Sequence, residues 1–354
     1  MIKEIMEQPT AVKNTLTPSI KNGLPAPDGV KLSDADFARA GKLVIAACGS
    51  AYHAGIVGKN AIERLGGLPC EAWLASEFRY AEPIINEGDI FLVISQSGET
   101  ADSLAALREA KRRGMHVIGI VNVNGSSIAR ESDSVFHTQA GPEIAVATTK
   151  AYSAQLAALF LLAVRIGMAR GRVDETRALS LCAGLLSMPE KIAGMLACRE
   201  DVQFMASRVS NREHVFFIGR GIDYSAGLEA SLKLKEISYI HSEAYAAGEL
   251  KHGTISLITP GSLVVAMATQ SSLYEKMLSN VKEVRARGAT IMAVSCAGFN
   301  TGDAEFIIEI PEVDPLFSPL LSVVPMQLLA YFIAVERGCD VDKPRNLAKS
   351  VTVE

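Results

Sequence analysis

The chain has 354 residues, of which 49% are hydrophobic and 21% charged, and its formal net charge is -4. Such a composition excludes a disordered chain, and the lack of any basic run interleaved with aromatics excludes a nucleic-acid partner or an anionic membrane surface. The six cysteines (Cys48, Cys70, Cys182, Cys198, Cys296, Cys339) have neither CxxC spacing nor the density of a disulfide framework; reduced cytosolic thiols and no metal site are expected.

In chain order, residues 1–35 read as an N-terminal helical segment outside the repeating part of the chain. Their start, Met1-Ile2-Lys3-Glu4-Ile5, has no apolar export region. The longest apolar run, Leu156 to Val164, is too short to span a bilayer, so a cytoplasmic chain without a membrane partner is expected. Lys42–Gly49 is a short apolar β-type run ending at glycine. Asp89–Ile94 is a buried-type strand that runs straight into Ser95-Gln96-Ser97-Gly98-Glu99-Thr100 and then into a helix carrying Leu104, Leu107 and Ala110. In that turn the hydroxyls of Ser95, Ser97 and Thr100, the Gln96 amide and backbone N–H groups would converge at the positive end of a helix dipole, which makes a candidate phosphate site. The plainer reading is that Ser97 and Thr100 cap the helix; capping needs one hydroxyl, and the turn offers three.

Gly114 closes that charged helix, and a further strand runs to Val121. The long apolar helix Thr149–Ile166 ends a first domain at 36–170. A helical connector at 171–208, carried by about Glu175 to Arg208, leads to a second domain at 209–337 and a tail at 338–354. Sliding the chain against itself shows why two domains are expected: a weak internal repeat of roughly 170 residues. It matches Lys42–Gly49 with His214–Gly221, Asp89–Ser97 with Ser262–Ser271, and Gly114–Val121 with Gly288–Val294. The second half closes on its own apolar helix, Leu320–Val335. Strands alternating with helices imply an α/β fold with two parallel sheets, each flanked by helices.

The halves differ in chemistry. The second loop, Thr269-Gln270-Ser271-Ser272-Leu273-Tyr274, lacks the glycine that lets backbone approach a ligand closely, so phosphate is assigned to the first half alone. In Leu228–Ile237, Glu229, Lys233 and Glu236 fall at i, i+4 and i+7 on one helical stripe, for which a solvated, salt-bridged face is the commoner explanation. The segment Ile240–Gly253 crowds His241, Glu243, Glu249 and His252 around glycines, offering either a general acid or base or, for His252, a helix C-terminal cap. The tail from Pro344 holds Lys349, which residue type and position alone would not single out.

Four motifs occur together and in order: Ser95–Asp102, Ala145-Val146-Ala147-Thr148-Thr149-Lys150-Ala151, Gly248–Gly253 and Arg345–Glu354. On them the chain resembles, almost end to end, the isomerase region of the glucosamine-6-phosphate synthase (glutamine:fructose-6-phosphate aminotransferase) family, built from two sugar-isomerase (SIS) domains. The family's amino-terminal glutaminase half, with its exposed nucleophilic cysteine, has no counterpart here, since Met1 is followed by Ile2, and the sugar half alone is expected. The resemblance implies that Ser95, Gln96, Ser97 and Thr100 hold the phosphate of fructose 6-phosphate. Cys48, Gly49, Ser50, Ala51, Val146, Ala147, Thr148 and Ala348 would complete the sugar site. By the same resemblance Lys349 forms a Schiff base at C2, Glu236 assisted by Lys233 shuttles a proton between C1 and C2, and His252 assists ring opening from a neighbouring subunit of a homodimer. No metal or redox cofactor is needed. The family usually reads Cys-Gly-Thr-Ser-Tyr where this chain has Cys48-Gly49-Ser50-Ala51-Tyr52, so a hydroxyl near the phosphate is lost at Ala51. Two further readings stand beside this one. A SIS-type glucosamine-6-phosphate deaminase would run the chemistry in reverse, and a non-catalytic sugar-phosphate sensor would need the loop but not Glu236, His252 and Lys349.

Overall fold

A computed structural model of the chain describes residues 1–296, 302 and 304–352; Val353 and Glu354, which end the last motif, lie outside the described residues. The chain forms two compact units. One comprises residues 7–144, 148–189 and 348–354 and holds the first sheet; the other comprises 1–6, 145–147 and 190–347 and holds the second.

The first-sheet unit is built on five parallel strands in the order Cys70–Leu74, Leu43–Ala47, Ile90–Ser95, His116–Val121 and Ser134–His137. Leu43–Ala47 and Ile90–Ser95 are buried at every position, as expected of continuous apolar strands in a parallel sheet covered on both faces. In chain order the arrangement is 2-1-3-4-5, so the direction of winding reverses between Leu43–Ala47 and Ile90–Ser95, where Ala47 lies opposite Ile94. Helix Gly49–Ala61 lies against the sheet, and helix Lys150–Ala169 packs on it. The helix Ala101–Arg112 ends at Gly114, whose φ of 83° is the left-handed turn the sequence required.

The second-sheet unit repeats this topology with His241–Ala246, His214–Gly219, Leu263–Ala268, Thr290–Cys296 and Phe306–Ile310, all parallel. Helices Ile222–Ser238 and Ser318–Glu336 pack on each other in it. The strands matched by the internal repeat therefore hold equivalent places in the two sheets.

Details of the segmentation differ from the sequence reading. Residues 1–35 carry helix over Ile2–Met6 and Gln8–Leu16, but a hairpin follows, Ile20–Lys21 pairing with Leu24–Pro25. Asn22 and Gly23 both take positive φ there (52° and 78°), the tight turn that such a residue pair favours. The connector is two helices, Glu175–Leu196 and Arg199–Val209, and the division between units falls after Pro189, inside the first of them. The tail also divides, after Leu347.

Three helices, Lys150–Ala169, Glu175–Leu196 and Ser318–Glu336, are long and apolar enough to cross a membrane by length and composition. The nine-residue run that suggested otherwise understated them, because alanines and small polar residues extend the apolar surface. In the first and last, 89% of the apolar window is buried inside the protein, against 39% in Glu175–Leu196. All six cysteines are unpaired, and burial pushes the thiols of Cys182 and Cys198 up to about 11.

Candidate active site

The loops following Leu43–Ala47 and Ile90–Ser95 flank the point where the first sheet reverses its winding, which is where open α/β sheets bind ligands. Cys48 precedes helix Gly49–Ala61, and Gly49 enters it with φ 54°. The Cys48 thiol lies 3.7 Å from Ser103 Oγ, and burial raises it above the ordinary thiol range. Ser50 is 9% exposed, while Ala51 is half-buried.

In the second loop Ser95 Oγ accepts the Gly98 N–H at 3.0 Å and stands 3.0 Å from Thr100 Oγ1. Ser97 Oγ accepts the Glu99 N–H at 3.2 Å. Thr100 occupies the N-cap position of Ala101–Arg112 yet makes no side-chain capping bond; the Ala101 N–H donates to the Val351 carbonyl at 3.1 Å instead. The hydroxyls are thus gathered on the turn rather than spent on the cap. Gly98 has φ 68°, and a Cβ there would stand 2.0 Å from Ser126 Oγ. The Gln96 carbonyl accepts the Asn122 N–H at 3.2 Å. Glu99 takes the Ser127 N–H at 2.8 Å, and the Ser127 hydroxyl together with this N–H holds its carboxyl below the usual range.

The tail brings a lysine to the same unit. Ser350 Oγ lies 3.3 Å from Ser97 Oγ, and next to it Lys349 Nζ donates to Glu143 Oε2 at 2.8 Å. The Glu143 side chain is fully buried, and its other oxygen accepts the N–H groups of Thr149 (2.9 Å) and Ala151 (3.2 Å) where helix Lys150–Ala169 begins. A helix start leaves such donors without intrahelical partners. Lys349 is 24% exposed. Thr148 is half-buried and Ala348 exposed in this unit.

In the second-sheet unit the equivalent loop is filled by the chain itself. Asp223 is 1% exposed, and its carboxylate accepts the Thr269 N–H at 2.7 Å and the Thr269 hydroxyl; Gln270 Nε2 and Ser318 Oγ lie in the same cluster. An internal carboxylate thus takes up the Thr269 N–H and hydroxyl donors of this loop. Burial pushes the Asp223 carboxyl up to about 6 against the pull of Thr269 and Gln270. A raised carboxyl contributes stability that is complete below its unfolded value, near 3.8, and lost as pH rises through about 6. Asp223→Asn is therefore expected to flatten the fall in stability over that window by on the order of 3 kcal/mol. Parallel calorimetric stability curves for the two proteins across that window would contradict this.

The stripe on helix Ile222–Ser238 is not a solvated face. Lys233 and Glu229 side chains are fully buried, Nζ lying 3.4 Å from Glu229 Oε1 and 2.6 Å from Glu236 Oε2. Buried charges persist when paired, and Glu236, at 21% exposure, is the acid of the three that solvent reaches. His252 is exposed at the end of the 3-10 turn Leu250–His252, and its N–H donates to the Glu249 carbonyl at 2.9 Å.

The candidate residues thus fall in both units. Cys48, Gly49, Ser50, Ala51, Ser95, Gln96, Ser97, Thr100, Thr148, Ala348 and Lys349 belong to the first-sheet unit; Val146, Ala147, Lys233, Glu236 and His252 belong to the second. Sequence reasoning missed Glu143 and Asp223. One signal existed for the former: it is the only acidic residue between Asp133 and Asp174.

The family profile described as "SIS domain" matches residues 36–165 and 208–337. Glutamine–fructose-6-phosphate aminotransferase [isomerizing] of Caldanaerobacter subterraneus is 54% identical over 357 residues, covering 100% of this chain and 59% of that protein. The protein of that name from Methanosarcina acetivorans is 45% identical, with 100% and 58% covered. The chain thus spans about three-fifths of the length of these curated relatives. Among solved structures, the C-terminal domain of glucosamine-fructose-6-phosphate aminotransferase from Francisella tularensis is similar with a TM-score of 0.93 and 37% identity, covering 97% of this chain and 98% of that one. A glucosamine-6-phosphate deaminase from Thermotoga maritima aligns with a TM-score of 0.77 and 26% identity, covering 99% and 98%.

Proposed function

Because the chain belongs to the SIS-domain family, we propose that it binds fructose 6-phosphate and interconverts ketose and aldose phosphates, forming glucosamine 6-phosphate when ammonia is supplied. The observation that carries this reading is the meeting, within one unit, of the hydroxyl-lined loop, Ser350 on Ser97, and the neighbouring Lys349. The phosphate is held by Ser95, Gln96, Ser97 and Thr100 at the start of a helix. Lys349 condenses with the C2 ketone, and the imine acidifies the C1 proton. Ammonia displaces the lysine from C2, and Glu236 carries the proton from C1 to C2, with Lys233 fixing its position. Without ammonia the same shift on the ketone gives glucose 6-phosphate. A sensor has no use for a buried lysine that fixes a carboxylate, whereas proton transfer by Glu236 gains from being positioned in this way. The active unit in this reading is a homodimer in the cytoplasm, with His252 serving ring opening in the neighbouring copy, and the reaction belongs to amino-sugar biosynthesis.

The test follows glucose 6-phosphate and glucosamine 6-phosphate from fructose 6-phosphate with ammonium chloride, with glutamine, and with neither. Glucose 6-phosphate is expected in all three, and glucosamine 6-phosphate with ammonium only, rising at alkaline pH where free ammonia is more abundant. Absence of both products throughout would overturn the reading. Faster release of ammonia from glucosamine 6-phosphate than its formation would favour the deaminase direction.

A further inference from the structure

Among the described residues Glu143 is placed against the Lys349 nitrogen that the proposed chemistry makes covalent, and no step above uses it. Its side chain is fully buried, its Oε1 is fixed by two backbone N–H groups, and its Oε2 is 2.8 Å from Lys349 Nζ. We infer that Glu143 is the fixed counter-ion of the protonated Schiff base formed by Lys349. The inference rests on Lys349 being the imine-forming residue, as proposed above.

Charge balance is the argument. When the Lys349 ammonium condenses with a ketone, the C2–N bond forms and the C2–O bond breaks. Two of the nitrogen's three protons leave with the ketone oxygen as water, and one stays on an iminium nitrogen. The nitrogen-containing group carries a charge of +1 both as ammonium and as iminium, so a negative partner anchored by the backbone serves both states without moving. The protonated imine is the stronger electrophile at C2, where ammonia then adds and the Lys349 amine leaves, and it withdraws electrons from C1 more strongly than the neutral imine does. A carboxylate held beside the iminium, where solvent is largely excluded, favours the protonated form. Glu143 could not be replaced by a mobile surface acid in this role, because its orientation is set by the start of helix Lys150–Ala169 rather than by Lys349.

The experiment uses cyanoborohydride, whose hydride adds to C2 of a protonated imine and leaves a stable secondary amine. The full chain is incubated with fructose 6-phosphate and this reagent across a pH series, and the adduct on Lys349 is measured by mass spectrometry. Glu143→Gln keeps an oxygen for the two N–H donors but turns an uncharged amide toward Lys349. The pH at which trapping falls by half is expected to drop by roughly one to three pH units, while the dissociation constant for fructose 6-phosphate, set by the phosphate loop, changes little. Glu143→Asp keeps the charge and should shift trapping less, in the same direction. It also carries the test by itself if the Gln variant does not fold. A trapping profile in either folded variant that superimposes on that of the unmodified chain would overturn the inference. Absence of trapping in the unmodified chain at every pH would instead sink the role of Lys349.

Discussion

Lys349→Ala is expected to lower ammonia-dependent turnover of fructose 6-phosphate to glucosamine 6-phosphate by about 10³-fold or more, the scale on which loss of an activated nucleophile acts. The fold should survive, because Lys349 is 24% exposed and near the chain end, and its ion pair leaves Glu143 still accepting two backbone N–H groups. Thermal melts and substrate titration on the purified variant separate the two effects: unchanged binding with lost turnover is the expected pattern. Retention of most of the activity would remove Lys349 from the mechanism. The same variant also addresses the composite site. Mixed with a His252→Ala chain, it is expected to regain part of the activity through hybrid dimers holding one intact set of groups. Mixtures no more active than the separate variants, despite demonstrated subunit exchange, would argue that each chain works alone.

Ser97→Ala combined with Thr100→Ala is expected to weaken fructose 6-phosphate binding by roughly 10²- to 10⁴-fold, each lost charge-assisted hydrogen bond costing about 1.5 to 3 kcal/mol. Neither hydroxyl caps the helix, so helix stability should hardly change. The matched control in the second-sheet unit is Ser271→Ala with Ser272→Ala, both exposed, which should leave binding as it was. Thr269 is unsuited to that control: its N–H and hydroxyl satisfy the buried Asp223 carboxylate, and removing the hydroxyl would cost stability rather than binding. Isothermal titration reads both pairs, and an unaltered dissociation constant in Ser97→Ala with Thr100→Ala would place the phosphate elsewhere.

Much of the architecture was legible along the chain. Apolar runs such as Leu43–Ala47 and Ile90–Ser95 specify strands covered on both faces, because every side chain in them gains by leaving water. The glycine ending each charged helix specifies a left-handed turn that bulky residues avoid. The strand, hydroxyl-rich turn and helix of Asp89 to Arg112 are contiguous in sequence, so the anion loop could be drawn from local chemistry alone. The internal repeat added that the pattern occurs twice, and both sheets share one strand order.

What needed the tertiary structure was the partner of each charge. Lys349 and Glu143 are 206 residues apart, and no periodicity links them. The Glu229, Lys233 and Glu236 stripe has the spacing of an exposed ion-pair face; that it is buried follows from packing of helix Ile222–Ser238 against Ser318–Glu336 and the second sheet. Asp223 was invisible as an internal acceptor because its partner Thr269 comes from another strand end, brought close only by the parallel pairing of His214–Gly219 with Leu263–Ala268. Sequence by itself determined the elements, since backbone preference and apolar periodicity act over a few residues. Which acids and bases meet is decided by strand order and helix packing, where contact depends on the whole chain's closure and a buried charge persists only at the position that pairs it.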